Sequence, residues 1–316
     1  MAHDDIAVLL TGSTGFIGSA IHEAFRQGGV RVHRLLRRPV RDPVSPVAHG
    51  DLTDARSLRG ACEGVDAIVH AASYVGPDPA RCEQVNHLGT RNLLAEAARA
   101  GVKRVLYIGT SAVYGTGPHQ GLLEGERPDA PVSVVSASRA AADAAVREHG
   151  GSTLRPHLVY GPGDRWVVPG LVRLLAAMPG WVDGGQARLS MVNVRALAQL
   201  TVAMTVTPPA PGTLFHADHP VPVTVLQAAG ALARHLGVRI PQGTVAADRL
   251  LEMPLPSGLT RRNLTMVTVD HWYRSDRIWR LTGCDPGPEV PDDLASAPAW
   301  YPDLFPGRAQ RSGPCA

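Results

Sequence analysis

Three glycines near the start of the chain have the spacing of a turn that binds phosphate. Gly12, Gly15 and Gly18 follow the apolar run 7–10, and apolar residues at helical spacing continue as far as Phe25. Glycine lets the backbone turn sharply and approach a pyrophosphate, while the N-terminus of the following helix faces the negative charge. The stretch therefore predicts a strand, a tight turn and a helix that bind a dinucleotide; the alternative is a glycine-rich loop without a ligand. The expected contacts in this turn are Gly12, Thr14, Gly15, Phe16, Ile17 and Gly18.

The end of the second predicted strand bears on which dinucleotide is bound. The run 30–36 ends in Leu36, where an NAD-specific enzyme places an acidic residue that holds the ribose hydroxyls. Arg37 and Arg38 follow it, and guanidinium groups bind a 2′-phosphate through charge-assisted hydrogen bonds. The pair predicts NADP(H), with two solvated surface arginines as the alternative. Further cofactor contacts are expected after the third and fourth predicted strands, at Asp51, Leu52, Ala71 and Ala72.

Strand-like apolar runs alternate with helical patterns along the first half of the chain. Runs 65–72 and 102–108 are typical of buried strands, and the helical pattern 84–100 lies between them. This alternation predicts an α/β fold, a Rossmann-type doubly wound parallel sheet with a smaller C-terminal substrate lobe. We expect a Rossmann domain of residues 1–163 and 184–221, a substrate lobe of residues 164–183 and 222–306, and a disordered tail of residues 307–316.

Composition and charge argue against several other classes of protein. The 316 residues carry 31 basic and 28 acidic side chains without a block of like charges, so we expect no nucleic-acid or membrane partner. Cys62, Cys82, Cys284 and Cys315 lack the spacing of a metal site or a disulfide framework, so no metal is expected. The N-terminus is polar and no apolar run approaches the ~20 residues of a membrane span, which predicts a cytoplasmic protein.

Several short motifs occur in a fixed order along the chain. They are Thr11-Gly-x-x-Gly-x-x-Gly18, Gly50-Asp51-Leu52, His70-Ala71-Ala72, Asn86-x-x-Gly89-Thr90-x-Asn92, Thr110-Ser111-x-Val113-Tyr114-Gly115 and the run from Leu154-Arg155-Pro156 to Gly163. In this order they resemble the extended short-chain dehydrogenase/reductases. The likeness continues through Asp183-Gly184-Gly185 and Met191-Val192-Asn193-Val194, so it covers most of the chain.

This resemblance implies a hydride-transfer site in which two of the family's four catalytic positions are kept and two are replaced. Asn86 and Thr110, or its neighbour Ser111, occupy the places of the family's asparagine and its serine or threonine. The family's tyrosine, which exchanges a proton with the carbonyl, and its lysine are replaced by Val135 and Arg139. The resemblance also implies that Arg139, Pro156 and His157 lie beside the cofactor. Residues expected to line the substrate pocket are Tyr114, Val135, Tyr160, Trp166 and Trp181, although core packing is an alternative for both tryptophans.

The missing tyrosine leaves three interpretations open. In the first, the protein is an NADPH-dependent ketoreductase in which Thr110 or Ser111 binds the developing oxyanion and the proton comes from water or from a phenol of the substrate. That interpretation is similar to the tailoring ketoreductases of aromatic polyketides such as angucyclinones, which include a simocyclinone type without the tyrosine. The substrate would then be a bulky aromatic polyketide ketone of antibiotic biosynthesis.

The other two interpretations assign the fold a different use. A nucleotide-sugar epimerase or dehydratase is common in the family, but such enzymes need the tyrosine as a base and mostly hold NAD. A non-catalytic protein that senses NADP would bind the cofactor without turning over a ketone. The alanine-rich helical stretch 137–146 has a smooth face that relatives often use for dimerisation, which predicts a homodimer; the alternative is that this face packs on the sheet.

Overall fold

A parallel sheet forms the larger of two lobes. A computed structural model describes residues 6–38, 45–252, 254 and 260–301; the predicted tail 307–316 lies outside them. Within these residues seven strands are hydrogen-bonded in the order β11-β7-β5-β4-β1-β2-β3, every neighbouring pair parallel. They are β1 (Ala7–Thr11), β2 (Arg31–Leu36), β3 (Val47–His49), β4 (Ala67–His70), β5 (Arg104–Ile108), β7 (Ser152–Arg155) and β11 (Leu214–His216). The predicted Rossmann-type doubly wound sheet is confirmed.

The remaining strands are short and belong to two small sheets. A parallel pair joins β8 (Leu158–Tyr160) to β10 (Met191–Asn193). The other small sheet has the order β12-β9-β13-β6 within the described part of the chain. Its strands are β6 (His119–Leu122), β9 (Arg188–Leu189), β12 (Val223–Thr224) and β13 (His271–Tyr273).

Helices cover both faces of the large sheet and build most of the second lobe. They are α1 (Phe16–Gln27), α2 (Pro79–Cys82), α3 (Gly89–Arg99), α4 (Val134–Glu148), α5 (Val167–Ala177), α6 (Val194–Val206), α7 (Val225–Leu236), α8 (Ala247–Glu252), α9 (Arg261–Thr268), α10 (Asp276–Thr282), α11 (Val290–Asp293) and α12 (Ala297–Trp300). A π-helical segment, Glu83–Leu88, leads into α3, and a 3-10 turn, Ser111–Tyr114, follows β5. Among the described helices, none is long and apolar enough to cross a membrane.

The central strand β1 is buried on both faces. Val8 and Leu10 pack in one cluster with Phe25 of α1 and Leu197 of α6. Leu9 points the other way and packs in a second cluster with α3 and α4. A strand covered on both sides reads as a continuous apolar run, which is why the sequence signal for β1 is strong. Both clusters hold the carboxyl ends of β1, β4 and β5 at one edge of the sheet.

The two lobes share segments in a way that the predicted domain ranges do not follow. Strand β6 lies within the predicted Rossmann range 1–163, and β9 within 184–221, yet both pair in the small sheet of the second lobe. Conversely, Ile278 and Trp279 of α10 pack in the Rossmann core together with Phe25. Strands of two to four residues carry too little periodicity to be assigned from sequence, so these exchanges could not be predicted.

Capping groups fix where the site helices begin. Ser133 and Ser136 form a reciprocal capping box at the start of α4, with Ser136 N–H donating to Ser133 Oγ over 3.1 Å. A capping box satisfies two backbone groups that would otherwise lack partners at a helix N-terminus. This box sets the register of α4 and thereby places Val135 in its first turn and Arg139 one turn later.

Candidate active site

The glycine turn is packed so closely that side chains would not fit. Gly12 has φ +73°, and a Cβ there would lie 2.6 Å from the Ala72 backbone nitrogen. A Cβ on Gly18 would collide with the Gly12 carbonyl oxygen, while the Gly15 N–H donates to that same oxygen over 2.9 Å. No side chain caps α1, so backbone N–H groups of its first turn remain free for an anion. The turn is thus a cradle for a phosphate group.

A cleft opens beside this turn, over the carboxyl ends of β1, β2 and β4. Eight of the residues predicted to contact the cofactor line it: Gly12, Thr14, Gly15, Arg37, Asp51, Leu52, Ala71 and Ala72. Phe16, Ile17 and Gly18 form the adjoining first turn of α1, and Arg38 is exposed next to Arg37. Carboxyl strand ends beside a reversal of strand order are where open α/β sheets bind ligands.

Sequence reasoning missed the far wall of this cleft. Ser73, Tyr74, Arg81 and Val85 also line it, and the Arg81 guanidinium lies 4.7 Å from the centre of the Tyr74 ring. Asp78 caps α2 by accepting N–H groups of its first turn, which places Arg81 beside Tyr74. Asp followed by Pro is a helix-start signal, so Asp78-Pro79 could have indicated that a helix begins here.

Charge at the open end of the cleft is balanced between one arginine and one carboxylate. Burial disfavours the charged form of Asp51, but hydrogen bonds from Thr53 and the charge of Arg37 hold its pKa below the usual value. Asp51 is therefore an acceptor at neutral pH. Leu36 is buried and offers the ribose no acceptor, whereas Arg37 is exposed at the rim.

The side-chain amide of Asn86 forms hydrogen bonds with other groups of the protein. Its Nδ2 donates to the Tyr74 carbonyl over 3.0 Å and to Ser138 Oγ over 2.9 Å, and its Oδ1 accepts the Tyr74 N–H. The residue is 1% exposed in the π-helical segment. Asn86 thus ties the loop after β4 to α4 and positions the site, with its amide groups facing protein.

The two adjacent hydroxyls after β5 have different surroundings. Ser111 is completely buried, and its Oγ donates to the Arg155 carbonyl over 3.1 Å. Thr110 is half-buried, and its Oγ1 accepts the Ala112 N–H over 3.2 Å. A hydroxyl that accepts one bond still has its proton to donate. Thr110 is therefore the member of the pair that can donate to a carbonyl oxygen.

Val135 and Arg139 of α4 offer no proton donor suited to neutral pH. Val135 is half-buried and has no polar atom in its side chain. Arg139 turns toward the end of β5, where its Nη2 donates to the carbonyls of Ile108 and Gly109 over 2.9 and 2.8 Å. Arginine also stays protonated at any ordinary pH. In this structure the Arg139 side chain secures the strand end that carries Thr110.

Two residues predicted to line the pocket are part of the core instead. Tyr160 is 1% exposed and its hydroxyl donates to Asp293 Oδ2 over 2.6 Å. Trp181 packs in the same apolar cluster of the second lobe. Burial corrects the predicted pocket role of Tyr160, and for Trp181 it agrees with the alternative of core packing.

Two further residues predicted to line the pocket, and His157, which is predicted to lie beside the cofactor, have contrasting surroundings. Trp166 is 73% exposed just before α5. Tyr114 is buried, with its hydroxyl 2.9 Å from Nε2 of His216. His157 follows Pro156 at the end of β7 and is half-buried. The roles of all three residues toward a ligand stay predictions.

His70 shows how polar groups are held beneath the glycine turn. Its ring nitrogens lie 2.7 Å from Thr11 Oγ1 and 2.8 Å from Thr90 Oγ1. Burial, together with the charge of Arg139, lowers the pKa of His70 to about 4. The imidazole is therefore neutral at pH 7 and links β1 and β4 to α3.

Comparison with known proteins places this geometry in one family. The NAD dependent epimerase/dehydratase family model matches residues 8–213. A ceramide reductase of Caulobacter vibrioides is 33% identical over 213 residues, which are 64% of this chain and 61% of that protein. A ketoreductase of Stigmatella aurantiaca that acts on a 4-hydroxy-2-methyl-3-oxo-4-farnesyl-3,4-dihydroquinoline-1-oxide is 27% identical over 202 residues, 58% of this chain and 60% of that protein.

A solved structure extends the likeness over nearly the whole fold. DesIV, a dTDP-glucose 4,6-dehydratase from Streptomyces venezuelae with NAD and TYD bound, is 24% identical and has a TM-score of 0.71. The match covers 95% of this chain and 99% of DesIV. At this identity the likeness concerns the fold alone. The two reductases are matched over about three fifths of their own length.

Proposed function

The chain belongs to the NAD dependent epimerase/dehydratase family, and on this premise we propose that it is an NADPH-dependent ketoreductase. Its substrate would be a ketone of a bulky aromatic polyketide, angucyclinone-like, in antibiotic biosynthesis. The observation that carries the proposal is the contrast after β5 and in α4: Thr110 retains a free hydroxyl proton, whereas Val135 has none to give. A site that keeps the oxyanion donor and lacks the acid suits a substrate that itself supplies the proton for the carbonyl oxygen.

The residues of the cleft fit the cofactor. No side chain caps α1, so the backbone N–H groups of its first turn are available to an anion. Gly15 and the first turn of α1 would hold the pyrophosphate, Asp51 the adenine amino group and Arg37 the 2′-phosphate. NADPH, when bound, supplies a hydride to the carbonyl carbon.

The chain's own contribution to the reaction is orientation and charge stabilisation. The Thr110 hydroxyl would donate to the carbonyl oxygen as negative charge develops on it. Asn86 and Arg139 hold the loop after β4 and the end of β5, so they keep Thr110 in place without touching the substrate. A phenol beside the ketone, or a water molecule, would protonate the alkoxide.

The named relatives support a reductase in different degrees. The Caulobacter protein is called a ceramide reductase and the Stigmatella protein a ketoreductase of a farnesylated dihydroquinoline oxide. Both names are those of reductases. The polyketide substrate is supported by the absent acid at Val135 and by the resemblance to tailoring ketoreductases.

One observation favours a second candidate, a protein that binds NADP without catalysis. Both residues that would complete the family's proton chemistry are absent, and Arg139 is engaged with backbone carbonyls. A sensor needs the phosphate cradle and Arg37, which are present, but no acid. A sugar epimerase or dehydratase has less support, because oxidation of an alcohol requires a base where Val135 stands.

Titration with NADPH and NADH, followed by assays of NADPH oxidation, tests these candidates. Phenolic polycyclic ketones and nucleotide sugars would be the substrates. We expect tighter binding of NADPH and turnover of a phenolic ketone; binding without turnover of any substrate would favour the sensor.

In Arg37→Ala we expect NADPH affinity to fall about 10- to 100-fold with NADH affinity little changed, since a charge-assisted contact is lost. Arg104→Ala is the matched control, because Arg104 is an exposed arginine at the amino end of β5, away from the cleft. Preference of the wild type for NADH would contradict the cofactor assignment.

A further inference from the structure

A cluster of buried rings lies between the large sheet and the small sheet of the second lobe. We call it the histidine cluster; its members are Tyr114, His119, His157, His216, His271 and Tyr273. The His157 ring lies parallel to that of His271, with centroids 5.8 Å apart, and 5.3 Å from the Tyr273 ring. His157 is the half-buried histidine of the cluster, while His119, His216 and His271 are buried. His157 is thus the histidine of the cluster that solvent or a ligand can reach.

The histidine cluster adjoins the strand end that carries Thr110. The backbone N–H of Ser111 donates to the Pro156 carbonyl over 3.0 Å, and His157 is the next residue along the chain. Strands β5 and β7 are paired neighbours, so Thr110 and His157 both follow carboxyl ends at the same edge. The cradle at Gly12 lies on the β1 side of this edge, and a dinucleotide extends across it. His157 is therefore placed on the nicotinamide side.

A carboxyl group lies directly behind His157. Asp218 is fully buried, and its Oδ1 accepts the His157 backbone N–H over 2.8 Å. Its Oδ2 has no hydrogen-bond partner, and no basic side chain forms a salt bridge with it among the described residues. The Asp218 backbone is fixed by Ser275 Oγ and by the indole N–H of Trp279. A buried carboxylate without a cation is costly, so this group holds a proton readily.

His157 also has a buried polar atom without a partner. Its Nε2 is shielded from solvent and makes no hydrogen bond with the described residues. Buried polar atoms that have no protein partner are typically satisfied by ordered water. Asp218 Oδ2 lacks a partner in the same way, so a proton path between the two side chains requires a water that reaches both atoms.

The electrostatic surroundings of this pair are set by several elements. Burial raises the pKa of Asp218 to about 7, although the hydrogen bond from His157 opposes the shift. Burial, then the neighbouring His271 and His119, lower the pKa of His157 well below its usual value. Titratable and charged groups that face the histidine cluster from adjoining elements are Glu124, Arg127, Arg155, Arg262 and Asp270.

We propose that His157 and Asp218 relay the proton that carbonyl reduction consumes, an inference that rests on the proposed ketoreductase function. The histidine passes protons between the reacting oxygen and the buried carboxyl group. Neither residue replaces the missing tyrosine at its place on α4. They form a separate route at the end of β7.

The proton balance of the relay closes without another reactant. The hydride forms the new C–H bond, and the C=O π pair becomes a lone pair on oxygen. A phenol or water beside the oxygen gives it a proton and becomes phenolate or hydroxide. That anion takes a proton from one ring nitrogen of His157 while the other nitrogen accepts one from Asp218 through water. The carboxylate finally regains a proton from solvent.

Two variants and one control test the relay. Asp218→Asn keeps an acceptor for the His157 N–H but cannot titrate, and His157→Phe keeps a ring against His271 but cannot carry a proton. Asp66→Asn is the matched control, because Asp66 also accepts one backbone N–H, from Ala7 over 2.8 Å, at the opposite edge of the sheet. NADPH affinity is measured for each variant to show that the cofactor site is intact.

The first readout is infrared spectroscopy of the full chain without substrate. We expect the wild type to show a protonated carboxyl band that disappears as the pH rises through about 7, and Asp218→Asn to lack that band while Asp66→Asn retains it. A wild type whose carboxyl bands do not change between about pH 5 and 9 would overturn the relay, whatever its activity.

The second readout is the pH dependence of kcat with a phenolic ketone. We expect the wild-type kcat to fall above about pH 7, and both relay variants to lose that fall and about 10- to 100-fold in kcat. A merely structural role would not flatten the profile. Wild-type turnover with an unchanged profile in both variants would overturn the relay alone. If the wild type reduces no ketone, the proposed function fails and the relay with it.

Discussion

The hydroxyls of Thr110 and Ser111 are adjacent in the sequence and differ in what they can do. From the sequence alone either could face the carbonyl, because both follow the same strand. The structure separates them by burial, since Ser111 donates into the Arg155 carbonyl while the Thr110 hydroxyl proton is free. Residue types were therefore predictable here, but side-chain direction depended on the packing of β5 against β7.

Replacing each hydroxyl in turn should produce opposite effects. We expect Thr110→Ala to lower kcat about 100-fold with little change in stability, because an oxyanion donor is lost. Ser111→Ala should cost about 1 kcal/mol of unfolding free energy through the lost buried hydrogen bond. Its kcat should change little. Turnover assays and denaturant unfolding of both variants measure this, and a larger kcat loss in Ser111→Ala would reverse the assignment.

Val135 offers a direct test of whether the reaction needs an acid from α4. We expect Val135→Tyr to leave the turnover of a phenolic ketone nearly unchanged, because the proton has another source. Arg139 also donates to the β5 carbonyls, so its side chain is not free to take over the contacts of the family's lysine. Steady-state kinetics decide the matter; a large gain in rate would show that the missing tyrosine limits the enzyme. Val135→Phe controls for the added bulk.

At the scale of elements, the glycine turn was the most predictable part of the site. Its three glycines follow a continuous apolar strand, and the structure gives each a close backbone approach or a turn. The π-helical segment Glu83–Leu88 was not predictable, because its residues fit an ordinary helical pattern. The two-residue strands β9 and β12 were also invisible, since pairing rather than local sequence creates them.

The close approach at Gly12 predicts a specific loss on substitution. Gly12 and Gly101 have similar positive φ angles, +73° and +76°, but a Cβ at Gly101 would meet open space. Gly101→Ala should therefore cost about 1–2 kcal/mol from backbone strain alone. Gly12→Ala should cost about 1–3 kcal/mol more because its Cβ collides with the Ala72 backbone, and NADPH binding should be lost. Denaturant unfolding and cofactor titration measure the difference, and equal costs would contradict the packing argument.

At the scale of the whole molecule, buried histidines make stability depend on pH. Burial lowers the pKa of both His70 and His216 to about 4. Between pH 4 and an ordinary unfolded value near 6.5 the unfolded chain binds protons that the fold excludes. Stability therefore falls as the pH drops through this window. Asp218 has the opposite sign, because its folded form keeps a proton up to about pH 7 and so loses stability as the pH rises.

We expect the histidines to dominate, since His119, His157 and His271 are shifted in the same direction. The unfolding free energy should fall by about 1.4 kcal/mol per pH unit for each titrating histidine below pH 6.5. In His70→Gln the dependence of the unfolding free energy on pH should be weaker by the contribution of one histidine. Denaturant unfolding at several pH values measures both slopes. A wild type equally stable at pH 4.5 and 7 would show that these rings are charged in the fold.

The shared segments of the two lobes limit how this protein can be divided or recombined. Strand β6 leaves the first part of the chain to pair with β13, and α10 returns from the second part to the Rossmann core. A gene fusion that exchanged the C-terminal half for that of a relative would remove the pairing partner of β6 and leave a gap in the Rossmann core where Trp279 packs. The substrate specificity of this protein should therefore be changed by substituting individual side chains around the cleft, because the two lobes cannot be exchanged as separate units.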